Sequence, residues 1–482
     1  MSETISKLDR SASRPVEIVT LLLSAALLCV AAIYNRYPLV YPDTGGYLLV
    51  KNYVIRSMFY SLFVYPSHLF GSLLFVVGAQ ALCVAYLLRI VLRVVFGVAS
   101  RIGYLIIIAA LSILTSLPWF VGFLMPDIFT PMVVLCLFLL AFCFSRLTVL
   151  ERIFVVLLSF VAEVTHYSHV PIAIGLLIAL LGVRIFQRLR HVQIGVPRLV
   201  LPASVTLAAV MAMVFSNYLS LGLATYSAGG WAFILARLVA DGPATEYLRE
   251  ECGNHGYMLC YWVNRMPMDV GTFLWARNGP FEGRTGLWLY ERDEGLEIIE
   301  RTIERFPLWC LNNAVSNGAK QLMSFETAAD FGSFANQDYP TRDLQDNYPA
   351  DYDAYLGSRQ NRRELFVLNW LRPLHKYVVI VSAIYGGIFL LLLARRAEFL
   401  PVALLFMIAY GLWLNSFVTG ALSDPEPRYA ARMVWLLPLF AIGSWRHAAD
   451  FLVNSRGKLA TAMNELTRRA KTSRRNSSGS DR

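Results

Sequence analysis

Apolar runs of roughly 17 to 23 residues recur along almost the whole chain, and each is long enough to cross a hydrocarbon layer of about 30 Å. A chain written this way has few choices. In lipid every backbone N–H and C=O must be satisfied internally, so the runs must become helices. The remaining composition agrees. Of 482 residues, 56% are hydrophobic and 16% charged, with a mean hydropathy of +0.51; soluble domains are nearer one quarter charged.

The runs at 17–34, 71–92, 103–124, 128–145, 153–165, 170–187, 199–218, 377–394, 399–420 and 430–445 are therefore expected to span. The fold class expected is an all-α polytopic membrane protein of about ten transmembrane helices. One large, mostly helical extracytoplasmic loop domain is expected with them. The segment 153–165 is the shortest, at about 20 Å of helix, and also fits a re-entrant hairpin with 170–187. The first run is longer than a signal-peptide core and no cleavage site stands out, so it is read as a retained helix.

The formal net charge of +10 invites a nucleic-acid reading, but its distribution argues against one. Arg89, Arg93 and Arg101, Arg146 and Arg152, Arg184, Arg188, Arg190 and Arg198, and Arg395 and Arg396 fall at the ends of alternate spans or in the connections that follow them, and a basic tail closes the chain. The positive-inside rule then makes those connections and both termini cytoplasmic. The location expected is a cell membrane of bacterial inner-membrane type, with membrane lipid as a partner and no nucleic acid. Residues 1–218 form an N-terminal membrane module, 219–376 the extracytoplasmic domain, 377–445 a second membrane module and 446–482 the basic tail. That tail mixes apolar and basic residues and is expected to lie on anionic headgroups.

The segment 219–376 holds 20 of the 33 acidic residues. Helical spacing is clear from Glu291 to Phe306 and stops at Pro307. The stretch 332–363, rich in Asp, Asn, Tyr and Pro, is expected to be an ordered loop or lid. Cys252 and Cys260 would form a disulfide if this side is oxidising. Trp231, Trp262, Trp275, Trp288 and Trp309 could stack on sugar rings or build the domain's own core.

This topology gathers chemistry on one face. The first extracytoplasmic connection carries Tyr41-Pro42-Asp43-Thr44-Gly45-Gly46-Tyr47, the second Met125-Pro126-Asp127, the third Glu163, His166 and His169, and the last Asp424, Glu426 and Arg428. Ionisable groups at a membrane boundary are costly and tend to mark function. Asp43 is expected to be a general base, and its plainer role is to cap a short helix. Asp127 is expected beside it, as a catalytic or metal-binding acid or as a helix cap. Arg428 and Arg56, with Glu426, are the candidate substrate-binding residues, since a guanidinium grips phosphate bidentately. Glu163, His166 and His169 are the candidate ligands of a divalent metal, manganese, magnesium or zinc, though their spacing is not a zinc signature, and the plainer role of the histidines is to bond loop carbonyls. No other cofactor is indicated.

Together these features resemble the GT-C class of membrane glycosyltransferases, over residues 1 to about 220 and the closing spans. Asp43 matches the acid of that class's first extracytoplasmic loop, Asp127 the second-loop acid by position, and Arg428 looks like its donor-phosphate arginine. Thr44 stands where several subfamilies have a second acid. The resemblance implies transfer of sugar from a polyprenyl-phosphate donor to a lipid, glycan or protein in the cell envelope. Two other readings of the sequence remain: a transporter or flippase of lipid-linked saccharide, and a non-catalytic assembly factor for envelope polysaccharide. The near absence of charge inside the spans and of any internal repeat weighs against transport.

Overall fold

The computed structural model describes residues 2–51, 54–191, 195–284, 286–393 and 399–445. The basic tail and the pair Arg395 and Arg396 lie outside the described residues, as do the side chains of Lys7, Arg10 and Arg14. Every described element is helical, with one isolated parallel bridge between Leu39 and Phe123.

The N-terminal half runs α1 (Ser2–Leu28), α2 (Val30–Asn35), α3 (Met58–Val64), α4 (Leu74–Phe96), α5 (Arg101–Leu114), α6 (Leu117–Val121), α7 (Phe129–Phe138), α8 (Val149–Val164), α9 (His169–Leu189) and α10 (Val200–Leu221). Then follow α11 (Gly230–Ala240), α12 (Pro243–Glu251), α13 (Val270–Trp275), α14 (Leu287–Tyr290), α15 (Arg292–Arg305) and α16 (Pro307–Met323). The chain closes with α17 (Asp338–Asn347), α18 (Tyr352–Leu356), α19 (Leu368–Ile388), α20 (Phe399–Leu422) and α21 (Pro427–Ala431). A further helical stretch, 436–445, ends the described residues.

Among the described residues six helical stretches are long and apolar enough to cross a membrane: Leu74–Phe96, Pro126–Arg146, His169–Leu189, Val200–Leu221, Leu368–Leu391 and Phe399–Leu422. The other four expected spans are shorter or interrupted. The first breaks at Cys29, between α1 and α2. The third stops at Thr115, whose backbone is extended. Helix α8, at 16 residues, rises about 24 Å. It opens on a capping box in which Thr148 Oγ1 accepts from Glu151 N–H and the Glu151 carboxylate accepts from Thr148 N–H. The last is turned through residues 432–435 before its helix resumes.

Helix α7 is the hub. It is apolar all round and buried all round, packed by α4, α8, α9 and α20, as an unpatterned helix must be. Helix α1 packs on α4 and α5, and α10 on α8 and α9.

The stretch expected to be one loop domain divides into three parts. Residues 228–299 carry a core of their own, in which α11 packs on α12, α13 and α15 around Trp231, Leu235, Phe273, Phe281, Trp288 and Ile298. Cys252 and Cys260 are bridged within it, their Cα atoms 5.5 Å apart. Helix α16 leaves that unit and lies along α20, where Gly420 admits it: a Cβ there would stand 2.6 Å from the Asn317 carbonyl oxygen. The third part, α17 and α18 with their flanks, folds over the connection that carries Asp43.

Candidate functional site

Two loops at the same end of the bundle are tied together by main chain. Leu39 N–H donates to Gly122 C=O at 2.8 Å, and Leu124 N–H to Leu39 C=O at 2.9 Å. Gln80 of α4 buttresses the second loop by donating to the carbonyls of Val121 and Phe123. On the far side, Gln360 acts as a substitute strand. Its Oε1 accepts from Val40 N–H at 3.0 Å and its Nε2 donates to Val40 C=O at 2.7 Å. Asn35 in turn accepts from Gln360 N–H at 2.7 Å. All three amides are buried, so this backbone has its hydrogen bonds met without a sheet.

From this frame Pro42–Tyr47 forms a short 3-10 helix of about two turns. Tyr41 N–H donates to Thr44 Oγ1, whose hydroxyl donates to Leu124 C=O. Asp43 is thereby relieved of capping. Its Oδ1 accepts from Arg56 Nη2 at 2.6 Å, and its Oδ2 has no partner among the described residues. The two glycines after it admit close side chains: a Cβ on Gly45 would meet the Asp343 carboxylate, and one on Gly46 the Arg56 guanidinium, so either would have to shift.

Asp127, just before α7, is buried and is not a cap either. Its Oδ1 accepts from Arg432 Nη1 at 3.3 Å and stands 3.8 Å from Arg428 Nε. Arg432 is 1% exposed and also donates to Asn415 Oδ1 of α20, at 2.8 Å from Nη2. Arg428 lies between the rings of Tyr41 and Tyr429, its guanidinium carbon 4.4 and 5.1 Å from their centroids. Its Nε and Nη1 are buried and make no hydrogen bond among the described residues. Two guanidiniums thus share one carboxylate at ion-pair distance, and Asp330 and Glu426 are the further carboxyls within electrostatic reach of Arg428. Buried guanidinium nitrogens without acceptors suit an anionic ligand.

These groups open on one cavity of about 680 Å³, within the usual range of about 300–1,000 Å³ for a small-molecule site. Asp43, Arg56, Asp127, His166, Glu426 and Arg428 all line it. One wall is apolar and aromatic, with Val418 and Leu422 of α20, Phe233 and Ile234 of α11, Trp231 and Trp275, while Asp424, Arg292 and several Ser and Thr side chains add polar lining. Of the remaining tryptophans, Trp288 is core, Trp262 faces Arg265, and Trp309 packs near Phe306. Burial beside Asp330 and Asp424 raises the carboxyl of Glu426 above its ordinary range, and burial raises Asp330 likewise.

The structure does not bring Glu163, His166 and His169 together as a ligand set. Among the described residues no group of three His, Cys, Asp or Glu is placed to hold a metal ion. The physical reason is the break of helix at Thr165. Glu163 stays on α8, fully buried, its Oε1 accepting from Ser159 Oγ at 3.1 Å. His169 heads α9 with both nitrogens occupied: Nδ1–H donates to Ala162 C=O at 2.6 Å, and Nε2 accepts from Thr130 Oγ1 at 2.7 Å. Only His166 reaches the cavity. Burial, with Arg432 and Arg428 close by, pushes its imidazole down to about 3, so the ring is neutral at ordinary pH.

Arg432 was missed because it sits inside an apolar run, where the spans were expected to be nearly free of charge. Its signal was present: Arg428 and Arg432 are spaced i, i+4 and share a helix face.

Comparison of the chain with family models, with characterised proteins and with solved structures finds no match to any of them.

Proposed function

We propose that this chain is a membrane glycosyltransferase that moves a sugar from a polyprenyl-phosphate donor to an acceptor hydroxyl on the extracytoplasmic side of a cell membrane. The observation that carries the proposal is the pairing, in one cavity, of an unsatisfied buried arginine with an accessible carboxylate. Arg428 has two nitrogens, Nε and Nη1, that make no hydrogen bond among the described residues, and Asp43 keeps one oxygen unpartnered among the described residues. A phosphodiester against Arg428 would supply the missing acceptors, a charge-assisted contact stronger than a neutral hydrogen bond.

The chemistry follows from that placement. The acceptor oxygen attacks the anomeric carbon and the bond from that carbon to the phosphate oxygen breaks. The phosphate leaves with the electron pair, and the acceptor's proton passes to Asp43. Arg428 stabilises the charge that grows on the departing phosphate in a preorganised site, where such contacts act most strongly. Arg56 fixes the Asp43 rotamer through Oδ1 and leaves Oδ2 for the acceptor. The apolar wall from Val418 and Leu422 to Phe233 and Ile234 suits the first isoprene units of the donor.

In this reading the six long helices and the four shorter apolar segments together make about ten crossings. Both termini are cytoplasmic, and the cavity faces the opposite side, with the unit 228–299 above it. The test is mass spectrometry of lipid-linked sugars and surface glycans in cells with and without the protein. Loss of one glycan together with accumulation of one polyprenyl-phosphate sugar is expected; unchanged profiles of both would refute the proposal.

A further inference from the structure

His166 is a cavity group whose tautomer is fixed by main chain. Ser168 N–H points at its Nδ1 at 3.1 Å, and Ser168 Oγ lies 2.8 Å from the same atom. A backbone N–H can only donate, so Nδ1 must hold a lone pair. Ser168 Oγ in turn accepts from Arg432 Nη2 at 3.4 Å, which leaves its own hydrogen for Nδ1. A neutral imidazole with Nδ1 unprotonated carries its proton on Nε2. No described residue partners that nitrogen, and the ring lines the cavity. The neighbouring His169, with ring centroids 5.3 Å apart, has the opposite tautomer and no nitrogen to spare.

We propose that His166 offers Nε2–H, as a neutral donor, to a non-bridging phosphate oxygen of the ligand held by Arg428. The proposal rests on the reading of the cavity as a prenyl-phosphodiester site. The same tautomer bars His166 from ligating a metal. Ligation through Nε2 needs the proton on Nδ1, where it would oppose Ser168 N–H, and Nδ1 itself is already occupied. The charged and titratable groups facing the ring are Arg428, Arg432 and His169. Two guanidiniums disfavour an imidazolium, so the donor adds direction without adding charge.

The test uses the full-length protein in detergent micelles and farnesyl methyl phosphate, a phosphodiester that keeps one negative charge from pH 5 to 8, with affinity read by calorimetry. Replacing a donor to a charged group by an apolar side chain weakens binding about ten- to a hundredfold, and His166→Leu is expected to do so. His166→Gln places an amide N–H near the position of Nε2 and is expected to bind within about threefold of the parent. His166→Asn, whose amide matches Nδ1 instead, is not expected to rescue. Wild-type binding by His166→Leu would overturn the proposal. So would binding by the parent that tightens about tenfold from pH 8 to 5 while His166→Gln stays flat. If His166→Leu does not fold, the Gln and Asn variants decide by the same contrast, and equal affinities would overturn it. Arg428→Gln separates the two readings. If it binds the probe like the parent, the anion site itself fails; if it loses binding while His166→Leu does not, only the role of His166 fails.

Discussion

Leu39 and Phe123 form the one β-bridge among the described residues, and it holds the loop bearing Asp43 parallel to the loop bearing Asp127. Each carboxylate sits four residues beyond its half of the bridge, so the spacing between the candidate base and the arginine cluster is set by backbone. The Gln360 amide closes the open side of this pair. Gln360→Ala would leave both Val40 groups unpaired in a buried place, at about 1–3 kcal/mol per unsatisfied group. A melting temperature lowered by several degrees is expected, with activity lost beyond what the unfolded fraction explains. A variant with unchanged melting would contradict the role given to this clamp.

Removing the Asp127 charge is expected to cost more stability than removing Asp43. Asp127→Asn strands two buried arginines, and an uncompensated buried charge costs about 3–5 kcal/mol. Asp43→Asn alters a half-exposed pair with Arg56, worth about 0–1 kcal/mol. Chemical denaturation of the two variants in the same micelles checks the order; equal losses would refute it.

Helices α16 and α20 touch because Gly420 has no side chain. Gly420→Leu must push α16 away and is expected to destabilise by about 1–3 kcal/mol, as overpacking does. The Gln321 side chain also exchanges hydrogen bonds with the backbone of Glu426, at 2.8 Å each way. The displacement should therefore reach Arg428, two residues on, and weaken ligand binding with it. Loss of stability at unchanged affinity would break this link.

Stability should fall in mild acid through His166. Its folded value of about 3 lies below the ordinary 6.5. The unfolded chain therefore takes up the proton first as pH falls below 6.5, and stability is lost down to about pH 3. Relative to His166→Gln, the parent is expected to lose about 1–2 kcal/mol between pH 7 and 5. Parallel melting curves for the two proteins over that range would contradict a neutral buried imidazole.

Much of this was readable beforehand because lipid restricts the fold so severely. The apolar runs foretold helices, and Asp43 and Asp127 were singled out as ionisable groups at the boundary. Asp43, Arg56, Asp127, His166, Glu426 and Arg428 do meet in one cavity. Three things were hidden. Arg432 and Asn415 lie inside apolar runs, where composition averages them away. The metal triad looked sound on a continuous helix, but Thr165 ends that helix and sends Glu163 and His169 to separate partners. The clamp by Gln360 on Val40 joins residues 320 apart in sequence, and no local pattern announces such a pairing.

The central claim is that one cavity holds a lipid-linked sugar by Arg428 and activates an acceptor by Asp43. It is tested most directly by giving the purified protein, in bilayer discs with an extract of envelope acceptors, a set of radiolabelled polyprenyl-phosphate sugars. The account predicts that the parent consumes one donor and labels one acceptor. Asp43→Asn should bind that donor with near-parent affinity but turn it over at least a hundredfold more slowly. Transfer by Asp43→Asn at the parent rate, or a well-folded parent that binds none of the donors, would contradict it.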